Sequence, residues 1–247
     1  MHCKNLLIVF IAASTVLGGS VSSTTAEAPP WDLKLGLSYL GTSGNSRTSS
    51  TGLSAAYENS WGDWKMQAFA SALRATDRGE RSAERFVAGA RADVAVWKEL
   101  ALTSGLAWER DRFAGIDARS IVDAGLKWTP QPDNSLVFSA LVAATYTREE
   151  QVGAAFKNFL GAVAKADAVY AISESAKATL NVAVYPNFET AAAWRAGSAA
   201  GLQASLSSQL ALKLTYEYRY NNRPPASFRK SDTATMLSLV AQFPKLK

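Results

Sequence analysis

Residues 209–221 read Gln-Leu-Ala-Leu-Lys-Leu-Thr-Tyr-Glu-Tyr-Arg-Tyr-Asn. Leu210, Leu212, Leu214, Tyr216, Tyr218 and Tyr220 are apolar, and Gln209, Lys213, Thr215, Glu217, Arg219 and Asn221 between them are polar or charged. Successive side chains of a β-strand point to opposite faces, so a period of two is a strand with one oily and one wet face. A soluble sheet can produce one such strand. This chain repeats the pattern about a dozen times behind an export leader, and that combination predicts a transmembrane β-barrel.

The leader is set aside before the fold is read. His2 and Lys4 form a short basic start, and Leu6 to Leu17 (LLIVFIAASTVL) is an apolar run shorter than the ~18 residues of a spanning helix. A small, polar stretch from Gly18 to Thr25 leads to Ala26 or Ala28 as cleavage positions, with Pro29 and Pro30 disfavouring the second. The expected organisation is a signal peptide over residues 1–26 and one barrel domain over 27–247. Cys3 precedes the apolar run, where no lipoprotein anchor forms.

Cleavage removes the one Cys and the one His together, since these are Cys3 and His2. The mature chain then forms no disulfide, no Ser–His or Cys–His nucleophile and no imidazole or thiolate zinc site. Lipase, deacylase and omptin-like protease readings all need a histidine and fall away. Hydrophobic residues make up 48% of the sequence, yet no second run approaches a spanning helix. They sit at alternate positions instead. The net charge of +5 falls to +4 with Lys4 gone, and the charges are interspersed. That balance fits a wet lumen and anionic headgroups, and offers nothing to nucleic acid.

The alternation continues from end to end. Trp31, Leu33, Leu35, Leu37 and Tyr39 oppose Asp32, Lys34 and Ser38. Leu53, Ala55 and Tyr57 follow the Ser43-Gly44-Asn45-Ser46 turn, and Trp64, Met66, Ala68 and Ala70 lead to Asp77-Arg78-Gly79-Glu80. Phe86, Ala88 and Val94 alternate with Arg85, Gly89, Arg91 and Asp93; Leu102, Leu106 and Trp108 with Thr103, Gly105, Glu109 and Asp111. Val122, Leu126 and Trp128 oppose Arg119, Asp123 and Lys127. In the second half Phe138, Val142 and Tyr146 lead into an expected charged loop from Arg148 to Gly153. Leu160, Leu180 and Leu202 mark the next three strands, opposed by Lys165, Lys177 and Arg195. The stretch quoted above and a last strand from Thr233 to Phe243 bring the count to about twelve, an even number as bacterial barrels require.

An even count returns both termini to one side, which export assigns to the periplasm. Turns near Ser60, Lys98, Asp133, Ser173 and Ser207 then face the periplasm, and those near Asn45, Gly79, Gly115, Gln151, Asn187 and Pro224 face outward. Aromatics near the strand ends, among them Trp31, Tyr57, Trp108, Trp128 and Tyr146, supply two interface girdles. Phe243 closes the final strand as an aromatic assembly signal for the barrel-assembly machinery, followed here by a tail, Pro244-Lys-Leu-Lys247.

Three motifs carry a family resemblance: Ser43-Gly44-Asn45-Ser46, the run Glu109-Arg110-Asp111-Arg112-Phe113-Ala114-Gly115-Ile116-Asp117 with Arg119, and Asn222-Arg223-Pro224-Pro225 followed by Asp232-Thr233. Together they resemble the YdiY-like, salt-induced outer-membrane proteins, a family of unknown function. The resemblance implies a small outer-membrane barrel and a salt-related envelope role. It implies no reaction, cofactor or ligand.

Glu109, Asp111, Arg119 and Asp123 stand out as a charge cluster of the outer rim and lumen, on the inward face of the fifth and sixth strands. Opposite charges on neighbouring strands can pair along the wall, so one reading is a structural plug. A second is a constriction that selects small solutes or ions, with mild anion preference because lumen cations outnumber carboxylates. A third is a calcium site using Asp111, Asp117 or Asp232, although no loop has dense acidic spacing. Glu109 and Asp111 could also stand as an acid/base pair, but arginines surround them and no catalysis is expected. No cofactor is expected; the partners are outer-membrane lipids, lipopolysaccharide and at most a small solute or ion. A binding surface on short outer turns is the remaining class. Membrane fractions run unboiled in detergent gels should show a band of anomalous mobility that shifts on boiling; a chain that extracts without detergent and shows no shift has another fold.

Overall fold

The computed structural model describes residues 31–42, 48–131, 135–226 and 228–244. Twelve strands follow one another: β1 (Trp31–Thr42), β2 (Thr48–Trp61), β3 (Trp64–Asp77), β4 (Glu80–Ala95), β5 (Leu100–Asp111), β6 (Ile116–Trp128), β7 (Leu136–Gln151), β8 (Lys157–Ala171), β9 (Ala176–Tyr185), β10 (Arg195–Ser205), β11 (Leu210–Asn221) and β12 (Ser231–Pro244). Each pairs antiparallel with the next, and β1 meets β12 from Asp32↔Pro244 to Ser38↔Ser238. The sheet is thereby a closed up-and-down barrel. Strands of 10–16 residues, at about 3.3 Å per residue and a tilt of about 40°, rise roughly 25–40 Å, enough for an apolar band about 25 Å tall.

Alternation sorts the two faces as the sequence predicts. Leu35, Leu53, Leu102, Leu126, Val142, Leu160, Leu202, Leu214 and Leu239 are exposed on the outer surface. Arg85, Asp93, Asp111, Arg119, Asp123, Glu149 and Glu217 are buried inside. Leaving that many large apolar side chains in water would be strongly unfavourable, so the outer surface calls for lipid. Aromatic pairs mark the strand ends: Trp31–Tyr57 and Trp128–Phe138 at the rim where the described chain begins and ends, and Trp194–Tyr220 at the other. We call these the terminal and distal rims.

Two findings depart from the sequence reading. The expected charged loop from Arg148 begins later, because β7 runs on to Gln151 and carries Glu149 inward against Arg119. The interior is not polar throughout: Leu73, Ala75 and Ala83 pack against Ala234 and Met236, and Leu141 and Ala143 against Val163. These inward side chains lie against one another, β3 and β4 against β12 and β7 against its neighbour β8, so water is excluded and apolar inward positions become core. The expected leader, the turn at Asn45, the Asp133 turn and the last three residues lie outside the described residues.

Inward glycines make the close wall packing possible. A side chain at Gly105 would strike the Arg91 guanidinium at 2.5 Å and the Asp123 carboxylate at 2.8 Å, because that pair lies flat across β5. Phe69 lies in the same way over Gly89, with its ring 2.6 Å from where a Cβ would stand. At Gly125 a Cβ would press on the Val142 carbonyl oxygen and the Ala143 backbone, neither of which yields easily. Gly125→Ala should therefore destabilise the barrel by roughly 1–3 kcal/mol, read as a lower temperature for the gel-mobility shift. The lipid-facing neighbour swap Leu126→Ile should leave that temperature nearly unchanged.

Candidate functional site

The β5–β6 connection builds the distal end of the lumen. Asp111 ends β5, and its side chain accepts a hydrogen bond from Ala114 N at 3.0 Å, starting the 3-10 turn Arg112–Ala114. Gly115 closes the turn at φ +82°, a left-handed conformation that suits glycine. With one carboxylate oxygen used there, Asp111 turns the other into the lumen, and its side chain has no exposure to solvent.

That second oxygen meets Arg219 Nη1 at 3.1 Å. Arg219 is on β11, six strands round a twelve-strand ring from β5, so the bond crosses the lumen. Arg219 also lies 3.5 Å from Glu109 and 3.8 Å from Asp232. Arg85 on β4 reaches Glu109 at 2.8 Å, Asp111 at 3.8 Å and, across the lumen, Glu217 on β11 at 3.6 Å. Arg119 donates to Glu149 at 2.6 Å and to Glu109 at 3.1 Å, and Arg195 stands 3.6 Å from Glu149. Four arginines and five carboxylates thus form one network over seven strands. At this level the lumen is no wider than the combined reach of an arginine and an aspartate.

The 222–230 loop folds over the network. Pro225 and Phe228 lie 2.7 and 3.1 Å from where a side chain at Gly115 would begin. Since the β11–β12 and β5–β6 connections are diametrically opposed, this contact spans the distal mouth. Two motifs separated by over a hundred residues in the sequence, Asp111–Gly115 and Asn222–Pro225, are the two sides of one lid. Outside it, Arg112 donates to Asp117 at 2.5 Å, a bond that holds the guanidinium above its ordinary pKa.

Of the four residues singled out from the sequence, Glu109, Asp111 and Arg119 meet in the network. Asp123 lies one layer towards the terminal rim, where Arg91 Nη2 bonds both of its oxygens at 2.7 Å. Arg91 also donates to Thr103, which bonds Asp93, and Lys127 reaches Asp93 at 2.8 Å. Asp111, Asp117 and Asp232, the carboxylates considered for calcium, each face a guanidinium. Among the described residues no group of three or more His, Cys, Asp or Glu side chains is arranged to hold a metal. Glu109 and Asp111 share one face, and their oxygens are engaged by Arg85, Arg119 and Arg219. Phe243 lies on the outer face of β12, paired with Leu33. Arg85, Glu149, Arg195, Glu217 and Arg219 join the network without having been marked as site residues. Glu217 had a visible signal, since it shares the wet face of the opening stretch with Arg219.

The network and lid border a cavity of about 370 Å³ that reaches down to mid-barrel, lined by Phe69, Arg91, Lys165, Asn181 and Tyr185 as well as by Glu217 and Arg219 of the network and Pro224 of the lid loop. Its lining holds seven cations against five carboxylates. Asp111→Ala should leave Arg219 and Arg85 short of a buried counter-charge and destabilise the folded barrel by up to about 3–5 kcal/mol. A denaturant titration in detergent, followed by tryptophan fluorescence, reads this. Arg112→Ala, which removes the exposed pair with Asp117, should leave the transition where it is.

Comparison with known proteins gives the fold and family context. The translocator domain of the autotransporter NalP from Neisseria meningitidis superposes with a TM-score of 0.51 at 11% identity, over 89% of this chain and 90% of that one. The NanC porin (0.49, 14% identity, 87% and 100%) and the COG4313 outer membrane channel from Pseudomonas putida F1 (0.49, 10%, 91% and 98%) lie close behind. In sequence, the uncharacterized protein YdiY of Escherichia coli (strain K12) is 28% identical over 217 residues, 85% of this chain and 82% of that protein. The model of a protein family of unknown function, DUF481, matches residues 35–243. The chain belongs to that family, and its fold is that of outer-membrane β-barrels.

Proposed function

We propose that this DUF481 barrel works in the outer membrane as a sealed, non-catalytic structural element of the envelope, with a role tied to salt. The observation that carries the reading is the pair of cross-lumen contacts, Arg219–Asp111 at 3.1 Å and Arg85–Glu217 at 3.6 Å, beneath the Gly115–Pro225 lid. A filled mouth favours a structural part over a porin for bulky solutes. A salt-linked role draws support from electrostatics, because a seal built from ion pairs loosens as ionic strength rises, in proportion to how far water reaches it.

The same proposal places both termini in the periplasm, after removal of a signal peptide near residue 26. The barrel would meet lipid and lipopolysaccharide through its apolar belt and aromatic girdles. The barrel-assembly machinery would engage β12, whose outward aromatic is Phe243. Non-catalytic behaviour rests on the engagement of the paired carboxylates by arginines. A second reading, a narrow channel for small anionic solutes, is favoured by the excess of cations around the cavity.

Single-channel recording in planar bilayers at 0.15 M KCl separates the two. The wild type should stay closed apart from rare brief steps, and the double variant Arg219→Ala, Asp111→Ala should conduct steadily. Sustained wild-type conductance equal to that of the double variant would overturn the sealed barrel. Reversal potentials in a KCl gradient then judge the channel reading, which clear cation selectivity defeats.

A further inference from the structure

The cavity bordered by the network and the lid contains groups that the ion pairs leave unsatisfied. Glu217 has only 5% of its surface exposed, and its Oε2 has no hydrogen-bond partner among the described residues. Asn181 donates through Nδ2 to Asp167, which fixes the orientation of the amide and leaves its buried Oδ1 unpartnered. The Nε2 of Gln67 is likewise buried and unpartnered. All three residues line the one cavity. Buried polar atoms normally find a partner, so three around one space mark a place shaped for polar contents.

Charge identifies part of those contents. Among the described residues Lys165 has no carboxylate within ion-pair distance, Asp167 two residues along β8 being bonded by Asn181, and its Nζ lies 6.0 Å from the centroid of the Tyr185 ring. Arg195 shares that ring from 5.5 Å, and its nearest carboxylate is Glu149 at 3.6 Å. Two cations held against one ring leave positive potential that the wall does not cancel. Unpaired charge away from bulk water is costly, and a guest carboxylate would relieve that cost. Acceptors at Glu217 and Asn181 call for hydroxyl donors, and the amide of Gln67 calls for an acceptor. Phe69, laid over Gly89, offers an aromatic face to C–H groups. A volume of about 370 Å³ is within the range of small-molecule sites.

We propose that this cavity binds a small polyhydroxylated carboxylate, a monosaccharide acid, with its carboxylate at Lys165 and its hydroxyls at Asn181, Gln67 and Glu217. Glu217 and Arg195 belong to both the site and the network, and the two proposals have separate readouts: bilayer recordings judge the seal, and titration of the folded chain judges the site.

Isothermal titration of the full chain, purified and folded in detergent, tests the site with three probes: D-glucuronate, D-glucose and acetate. Glucuronate should bind saturably, with glucose and acetate each at least tenfold weaker, because each lacks one half of the recognition. Lys165→Met should weaken glucuronate at least tenfold, with Lys165→Gln as a second variant should the first fail to fold. Lys177→Met, on β9 nearer the terminal rim, should leave binding unchanged. No saturable heat with glucuronate overturns the proposal, as does equal binding of glucose or an unaltered affinity in a folded Lys165 variant. Acetate binding as tightly as glucuronate would also overturn it, reducing the site to a general anion contact.

Discussion

A sheet in hydrocarbon has no water to satisfy the backbone groups of an edge strand, and each unsatisfied group costs several kcal/mol. Closure of β1 on β12 meets that constraint here, joining residues about two hundred positions apart from Asp32↔Pro244 to Ser38↔Ser238. Everything else follows from it. Closure fixes the inward parity of every strand, the inward parity fixes which charges face the lumen, and twelve strands fix how far those charges must reach. The cross-lumen bonds are possible because the ring is small enough for arginine to span much of it.

Within the wall, side chains that lie flat need neighbours with no side chain. Gly105 beneath Arg91–Asp123 and Gly89 beneath Phe69 show the rule. An arginine that spans an adjacent strand instead of projecting to the axis neutralises its partner locally and leaves the axis open. This divides the lumen into a wall-paired layer around Arg91, Asp93 and Lys127 and a cross-paired layer around Asp111 and Arg219. The cavity with its unpartnered atoms runs from the boundary between them up into the cross-paired layer.

The strand pattern was legible because a period of two survives any register, as the opening stretch from Gln209 to Asn221 shows. Its parity placed Glu109, Asp111, Arg119 and Arg219 inward without any knowledge of pairing. Partnership across the lumen was not legible: Arg219 and Asp111 are 108 residues apart, and periodicity carries no information about which walls face each other. Glu149 was read as part of a loop because Arg148 to Gln151 is polar throughout, whereas an inward ion pair keeps such a stretch in the sheet. The interior clusters around Leu73 and Leu141 stayed hidden for a related reason, since an alanine or leucine on the wet parity has no signature until its inward neighbours on other strands are known.

The lid has its two sides on the hairpins β5–β6 and β11–β12, and the second of these is the last hairpin of the barrel. While a partly built sheet is still open, Gly115 has nothing to meet, and Arg219 is not yet opposite Asp111. The mouth can therefore shut only once the final hairpin has docked. Completion of the wall and sealing of its far opening become a single event, and a stalled assembly intermediate would be left with an uncovered, highly charged throat.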